Sequence, residues 1–218
     1  MATYLYGLIL ARNAQRMPAT VGLEGTPARV LGCGTLGAIV STMEGTSARP
    51  TLDGVRIHDA VLQAAVDAGA TVAAVRFGQS FAGDDEACRH VVERGDRIVR
   101  VLEENDGSVE MRLLLASVPE DDPPPALEKE IGPGRAYLES LREEKEQTEH
   151  LALRGAIGPS VRAEKVERLP RSRGVVFSHL VLRDEMVEYR NAISTLPGLA
   201  DAKVVGPLAL YSFAEPAS

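Results

Sequence analysis

The pattern of apolar and polar residues predicts strands on both sides of the first helices. Residues 3–10 form a run of β-branched, aromatic and aliphatic residues that predicts a buried strand. Short apolar runs at 28–31 and 38–42 flank a glycine-rich turn and predict a β-hairpin. Residues 71–77 and 108–118 predict two further strands, the second of which follows an Asn-Asp-Gly turn signal.

Apolar residues at helical spacing predict two helices between these strands. In the first helix the apolar positions lie between residues 57 and 68, with Gly69 placed to end the helix and Asp53 as a candidate cap. In the second helix, residues 84–86 place negative charge at the start, where the helix dipole favours it. Gly95 weakens the middle of that second helix.

The second half of the chain begins with a proline-rich segment and a polar helix. Residues 119–125 contain four prolines and predict a surface loop. Residues 134–156 predict a helix whose polar face is either solvated or in contact with a partner. After an interruption at Gly158-Pro159, residues 161–169 are predicted to resume the helix.

The end of the chain predicts a return to strands around one more helix. Residues 174–183 are apolar on both faces and predict a central strand. Asp184 is a candidate cap for a helix that ends at Leu196-Pro197-Gly198. Two extended segments follow, at 203–205 and 208–213.

This order of elements predicts an α+β protein of two domains, residues 1–106 and 107–218. The second domain has the βαβ…αβ rhythm of a ferredoxin-like fold, although one further strand is not evident from the pattern.

Charge and composition exclude several classes of function. The formal net charge of −7 and an aromatic content of 4%, with no tryptophan, disfavour a nucleic-acid partner. No apolar run is long enough to span a membrane, and residues 1–10 lack the features of a signal peptide. Cys33 and Cys88 are therefore predicted to be reduced thiols in the cytoplasm, with a disulfide between them as the alternative.

The candidate chemical motifs do not predict an enzyme, a cofactor or a metal site. Residues 32–37 match G-x-G-x-x-G, but a β-type run follows, which favours a hairpin turn over a dinucleotide site. His58 is expected to have a capping or surface role, and His179 is expected to be a hydrogen-bonded core histidine. Arg76 ends an apolar strand, where a structural ion pair is the first interpretation and an anion or partner contact the second.

Seven short segments occur in an order that is typical of a known family. These segments are Leu5-Tyr6-Gly7, Leu36–Ser41, His58–Leu62, Val75–Phe81, Gly107–Glu110, Gly132–Leu138 and Gly206–Phe213. Together they resemble the gas vesicle protein family GvpL/GvpF, of which the chain is identified as a divergent member. Two departures remove tryptophans, because Leu208-Ala209-Leu210 stands where Trp-Pro-Pro is usual and Met111 stands where Trp is frequent.

The resemblance implies a two-domain α+β protein with a ferredoxin-like C-terminal domain. It implies an accessory or minor structural role in building gas vesicles, in the cytoplasm and at the vesicle, without cofactor or catalysis. The implied partners are the hydrophobic shell protein and other accessory vesicle proteins, with no nucleic acid and no lipid membrane. The alternative is a small-molecule-binding protein or enzyme on a ferredoxin-like fold, with a pocket around Arg76 or His179.

Two segments are the candidates for function, either as partner contacts or as packing at the seam between the domains. The candidate residues are Arg76, Phe77, Gly78 and Phe81 in the first segment, and Gly206, Pro207, Tyr211, Ser212 and Phe213 in the second.

Overall fold

A computed structural model describes residues 1–45, 50–115, 151–169, 174–196, 199 and 202–214 of the chain. The chain forms two compact units: the first comprises Met1–Met111 and Gly206–Ser218, and the second comprises Arg112–Val205. The predicted loop at 119–125 and most of the predicted helix at 134–156 lie outside the described residues.

The first unit is built around a six-stranded sheet in which β1 is central. Every residue of β1 is buried, as its apolar composition predicts. β1 pairs antiparallel with β4 on one side and with β5 and β6 on the other, and the order along the sheet is β2-β3-β4-β1-β5. The strands are β1 (Ala2–Leu10), β2 (Thr20–Val21), β3 (Pro27–Cys33), β4 (Leu36–Met43), β5 (Ala73–Ala74) and β6 (Ser80–Phe81).

The predicted hairpin is confirmed, and the glycine-rich segment is its turn. Cys33 of β3 pairs with Leu36 of β4, which leaves Gly34 and Thr35 as a two-residue connection. No helix follows this segment, so the geometry that a dinucleotide site requires is not formed here.

The described residues of the first unit also form the α-helices α1 (Leu52–Asp67), α2 (Asp84–Glu93) and α3 (Gly95–Glu104). Thr51, and not Asp53, caps α1, because the Thr51 side chain accepts a hydrogen bond from the Gly54 N–H at 3.0 Å. The single helix predicted around Gly95 is two helices, which are separated at Arg94.

The expectation of two reduced cysteines is wrong for this structure, in which Cys33 and Cys88 form a disulfide. α2 packs against β3 and brings the two Cα atoms to 5.2 Å, within the range that a disulfide requires. The cysteines are 55 residues apart, so the sequence alone did not reveal their proximity.

The second sheet has the order β10-β7-β9-β8. Its strands are β7 (Ser108–Leu115), β8 (Val161–Arg168), β9 (Val175–Leu182) and β10 (Lys203–Leu208), and the boundary between the two units falls within β7 and β10. The described residues of this part of the chain include two α-helices, α4, formed by residues 151–157, and α5 (Met186–Ser194). β9 lies between two other strands, as its two apolar faces predict.

The prediction that residues 161–169 resume a helix is wrong, because β8 is a strand that pairs antiparallel with β9. Its Ala, Glu and Lys residues favour a helix, but intrinsic propensity is a weak determinant, and pairing with β9 from Val175 to Val181 outweighs it. β8 thereby supplies the further strand that the sequence pattern did not reveal.

Candidate functional site

The first candidate segment packs along the central strand of the first unit. The Val75 N–H donates to the Tyr6 carbonyl at 3.0 Å, and the Leu5 N–H donates to the Gln79 carbonyl at 2.9 Å. Phe81 pairs with Thr3 in the ladder between β1 and β6, and its ring lies 4.8 Å from that of His90. Main-chain pairing thus fixes this segment.

Arg76 differs from the residues that follow it because its side chain is exposed. Within the described part of the chain, no acidic side chain forms an ion pair or hydrogen bond with it, so the expected structural ion pair is not found there. Phe77 instead turns inward and packs against Gly54 of α1. Arg76 is therefore open to solvent, whereas Phe77 is held against α1.

The half-buried Phe77 packs against a group of buried rings. We call this group, Tyr4, Tyr6, His58 and Phe77 together with the backbone of Gly78, the His58 cluster. The ring of Phe77 lies 5.8 Å from that of Tyr4 and 5.7 Å from that of His58. The Gly78 N–H donates to the Tyr4 hydroxyl at 3.0 Å, so Tyr4 can donate its own proton to Nδ1 of His58, 2.9 Å away. His58 is then neutral, with its proton on Nε2.

Burial governs the ionisation of this cluster. His58 is 1% exposed, and its Nε2 forms no hydrogen bond of good geometry with the described residues, although the Val75 backbone acts to raise the pKa of His58. Burial is the largest cause that lowers the pKa of His58, and burial likewise raises the pKa of Tyr4. The expected surface or capping role of His58 is therefore wrong, because helical spacing turns this position toward β1.

The second candidate segment lies along β5 and α1 of the same unit. Leu210 forms a parallel bridge with Ala73, and its N–H donates to the Val72 carbonyl at 2.7 Å. The Pro207 carbonyl accepts from Gln63 at 3.0 Å, and the Tyr211 hydroxyl donates to Asp59 at 2.7 Å. Both candidate segments therefore contact α1, and the contacts described here lie inside the first unit.

Glu110 of β7 holds the end of this second segment. It is fully buried, and its two carboxylate oxygens accept bonds from the Ser212 N–H at 2.7 Å and the Ser212 hydroxyl at 2.9 Å. Such charge-assisted bonds are stronger than neutral ones. Glu110 was not among the candidate site residues predicted from the sequence, although it is the last residue of the family-like segment Gly107–Glu110.

Gly206 is required by close backbone packing. Its φ of +139° is a value that side chains disfavour, and an added Cβ would lie 2.7 Å from the Met111 sulfur and 2.9 Å from the Glu110 carbonyl oxygen. The Gly206-Pro207 peptide bond is cis. Gly206 thus has a structural explanation in the first unit.

A second polar network, which we call the His179 cluster, lies in the second unit and comprises Arg154, Glu164, His179 and Tyr189. Glu164 and His179 are directly opposite in the β8–β9 ladder, and their Oε2 and Nε2 atoms are 3.2 Å apart. Nδ1 of His179 lies 2.7 Å from the Tyr189 hydroxyl, and Arg154 donates to Glu164. The prediction of a hydrogen-bonded core histidine is confirmed.

The ion pair between the largely exposed Arg154 and Glu164 connects this cluster to the surface. Burial acts to raise the pKa of Glu164, but its bonds to Arg154 and His179 outweigh burial and lower that pKa overall. Burial raises the pKa of Tyr189. The sequence did not reveal Arg154 or Glu164 as partners, because the contact depends on the strand that was predicted as a helix.

Two further observations concern the described residues alone. They contain no group of three or more His, Cys, Asp or Glu side chains arranged to hold a metal ion. None of their helices combines the length and the apolar character needed to cross a lipid bilayer.

These observations define an α+β protein with two sheets, in which most candidate residues are held by packing and hydrogen bonds. The chain belongs to the GvpL/GvpF family, because the family model described as "Gas vesicle synthesis protein GvpL/GvpF" matches residues 2–215. This membership supports a role in gas vesicle assembly. No curated protein sequence gives a significant match.

Solved structures share the fold. The gas vesicle protein GvpF from Anabaena sp. PCC7120 superimposes with a TM-score of 0.81 at 14% identity, covering 100% of this chain and 97% of that one. The gas vesicle protein GvpF from Microcystis aeruginosa gives a TM-score of 0.78 at 13% identity, covering 98% of this chain and 99% of that one. At these identities the likeness shows the fold alone.

Proposed function

We propose that this protein is an accessory or minor structural component of gas vesicle assembly that acts through protein–protein contacts. Its partners are the hydrophobic shell protein and other accessory vesicle proteins, and it works in the cytoplasm and at the vesicle, which provides buoyancy. The observation that carries this proposal is the family match over residues 2–215. The two GvpF structures of similar fold support it.

The proposal is non-enzymatic, and the surroundings of Arg76 and His179 support it. In the alternative, a pocket for a small molecule would lie around Arg76 or His179. Arg76 is exposed, and both ring nitrogens of His179 have hydrogen-bond partners inside the second unit. Neither the exposed Arg76 nor the bonded His179 favours a pocket that binds a substrate or a cofactor.

The architecture we propose has two domains, the second of them ferredoxin-like. Strand order β10-β7-β9-β8, with α4 before β8 and α5 between β9 and β10, supports a βαββαβ unit. The domain boundary predicted between residues 106 and 107 remains a prediction.

Among the candidate residues we propose Arg76 as a partner contact. Phe77, Gly78 and Phe81 have buried contacts or main-chain bonds, and Ser212 is bonded to Glu110. An exposed arginine beside this fixed segment is available to a partner, and arginine is enriched at interfaces.

The direct test is capture of purified shell protein by the full-length chain. We expect the wild type to capture it and Arg76→Ala to capture less, with an unchanged free energy of unfolding. Arg56→Ala is the matched control, because Arg56 is another exposed arginine of the first unit and its partner is the neighbouring Asp53. A wild-type chain that captures no shell protein would contradict the proposed partner.

The role in assembly is tested separately in the native gene cluster. Deletion of the gene is expected to reduce vesicle number or alter vesicle shape. Restoring the wild-type gene should recover both. Unchanged vesicles after deletion would rule out the assembly role, whatever the capture experiment shows.

A further inference from the structure

The Cys33–Cys88 disulfide joins two elements of the first unit that also have other contacts. Cys33 ends β3 at the hairpin turn, and Cys88 lies in the middle of α2. The disulfide therefore connects a helix to the sheet on which it packs. Neither the family match nor the proposed function assigns a role to this pair.

α2 has an anchor that does not depend on the disulfide. Asp84, its first residue, accepts bonds from Arg29 at 2.7 and 2.9 Å and from the Thr3 hydroxyl at 2.8 Å. Arg29 is the largest cause that lowers the pKa of Asp84. Ala87, in the first half of the same helix, is buried as well. α2 can therefore stay docked at its start when the disulfide is open.

The two sulfurs differ in their access to solvent. Cys33 is 3% exposed, whereas Cys88 is only partly buried. A soluble thiol can reach the Cys88 sulfur more readily than the Cys33 sulfur, and access controls the rate of thiol–disulfide exchange. The Cys88 sulfur also lies 3.5 Å from the Gly32 carbonyl oxygen, which can accept a hydrogen bond from the S–H group of the reduced cysteine.

We propose that Cys33 and Cys88 form a reversible thiol–disulfide exchange site that fixes or releases the second half of α2. This site is a property of the first unit and goes beyond the proposed function in assembly. The asymmetric exposure gives the entry point for the thiol. The Asp84 anchor and the Gly32 carbonyl keep the two cysteines close enough to reform the bond.

The exchange is balanced with a small-molecule thiol as the reductant. A thiolate attacks the Cys88 sulfur, the bond between the cysteines breaks, and Cys33 leaves as a thiolate that takes up a proton. A second thiolate then attacks the mixed disulfide and releases Cys88, which also takes up a proton. Two small thiols are oxidised to one disulfide, and the protein disulfide is reduced to two thiols. Oxidised glutathione drives the reverse reaction and restores the protein disulfide.

Opening the bond removes a link across 55 residues of chain. The unfolded state then gains conformational freedom, so the folded first unit loses stability. We expect a loss of about 5–15 °C in melting temperature for a chain of this size. The local effect falls on α2 and on the contact between Phe81 and His90, since His90 lies on the released half of the helix.

The experiment uses the full-length protein incubated with oxidised glutathione or with dithiothreitol under native conditions. Alkylation followed by mass spectrometry reports the state of each cysteine. Hydrogen exchange reports the α2 amides, and thermal melting reports global stability. The double variant Cys33→Ala with Cys88→Ala is the matched control, because it keeps the Asp84 anchor and lacks both sulfurs.

We expect both cysteines to resist alkylation after oxidation and to react after native reduction. In the reduced chain the α2 amides are expected to exchange at least about tenfold faster, while the double variant shows no response to the thiol. Cysteines that stay free in oxidised glutathione would overturn the proposal. A disulfide that opens only when the chain unfolds would also overturn it, as would equal α2 exchange in both states.

Discussion

The His58 cluster of the first unit and the His179 cluster of the second each bury a histidine beside a tyrosine, but they are connected differently. His58 bonds the hydroxyl of Tyr4, which also accepts the Gly78 N–H. The two ring nitrogens of His179 bond two different side chains, Tyr189 and Glu164. Tyrosine is thus the centre of the first cluster and histidine the centre of the second.

The residue type alone therefore does not determine which substitution destabilises a cluster most. The loss depends on how many buried polar groups the substitution leaves without a hydrogen-bond partner, because each such group costs about 1–3 kcal/mol. The same substitution is therefore expected to have unequal effects in the two clusters. The predictions that follow test this difference, from the largest expected effect to the smallest.

His179→Phe is expected to lower the free energy of unfolding by about 3 kcal/mol, because it removes the partner of Tyr189 and one partner of Glu164. Urea denaturation followed by circular dichroism measures the loss. The matched variant His58→Phe is expected to cost only about 1 kcal/mol, since Gly78 still bonds Tyr4 and the unpartnered Nε2 is removed. Equal losses would contradict the assigned centres.

Tyr4→Phe is expected to lower the free energy of unfolding by about 2 kcal/mol, because both the Gly78 N–H and His58 Nδ1 lose their partner. Tyr189→Phe is the comparison. It removes the hydrogen-bond partner of His179 Nδ1 and is expected to lower the free energy of unfolding by about 1 kcal/mol. The same denaturation assay applies. A larger cost for Tyr189→Phe would reverse the comparison.

Acid is expected to weaken the His58 cluster first. The pKa of His58 is lowered on folding from its ordinary 6.5, so the unfolded chain binds the proton more readily. Stability is therefore complete above about pH 6.5 and falls as the pH drops below it. Denaturation at several pH values should show this slope in the wild type and a weaker slope in His58→Phe. Equal slopes of stability against pH in the wild type and in His58→Phe would show that the pKa of His58 is not lowered on folding.

Glu164 is expected to respond at lower pH and with the smallest effect. The pKa of Glu164 is lowered on folding, so its stabilisation is present above its ordinary 4.5 and is lost as the pH falls further. Because its partner Arg154 is largely exposed, solvent screens part of the interaction. Glu164→Gln should flatten the stability profile below about pH 4.5 and leave the region near pH 6 unchanged. A change confined to pH 6 would contradict this assignment.

Local signals in the sequence predicted much of the fold. The apolar run of β1, the hairpin around Gly34 and the helix that ends before Gly69 depend on neighbouring residues, and all three are confirmed. β8 was predicted wrongly because its partner β9 determines its conformation. The cap of α1 was placed two residues late, at Asp53 and not at Thr51.

The candidate sites were predictable only in part. Family-like motifs marked the two segments that contact α1, and the apolar strand around His179 indicated a core histidine. Cys33–Cys88, Glu110–Ser212 and the bond between His58 and Tyr4 each join residues more than fifty positions apart. No spacing rule connects such pairs, because their distance depends on how strands and helices pack.

The sequence by itself determined the family, the α+β class and most of the element types, because those depend on motif order and on periodic burial along short stretches. The tertiary structure alone decided which buried polar groups meet. It turned Phe77 inward and left Arg76 exposed, and it placed His179 beside Glu164 and His58 beside Tyr4. The physical reason is that a buried donor or acceptor needs a partner, and the packed chain decides which residue supplies it.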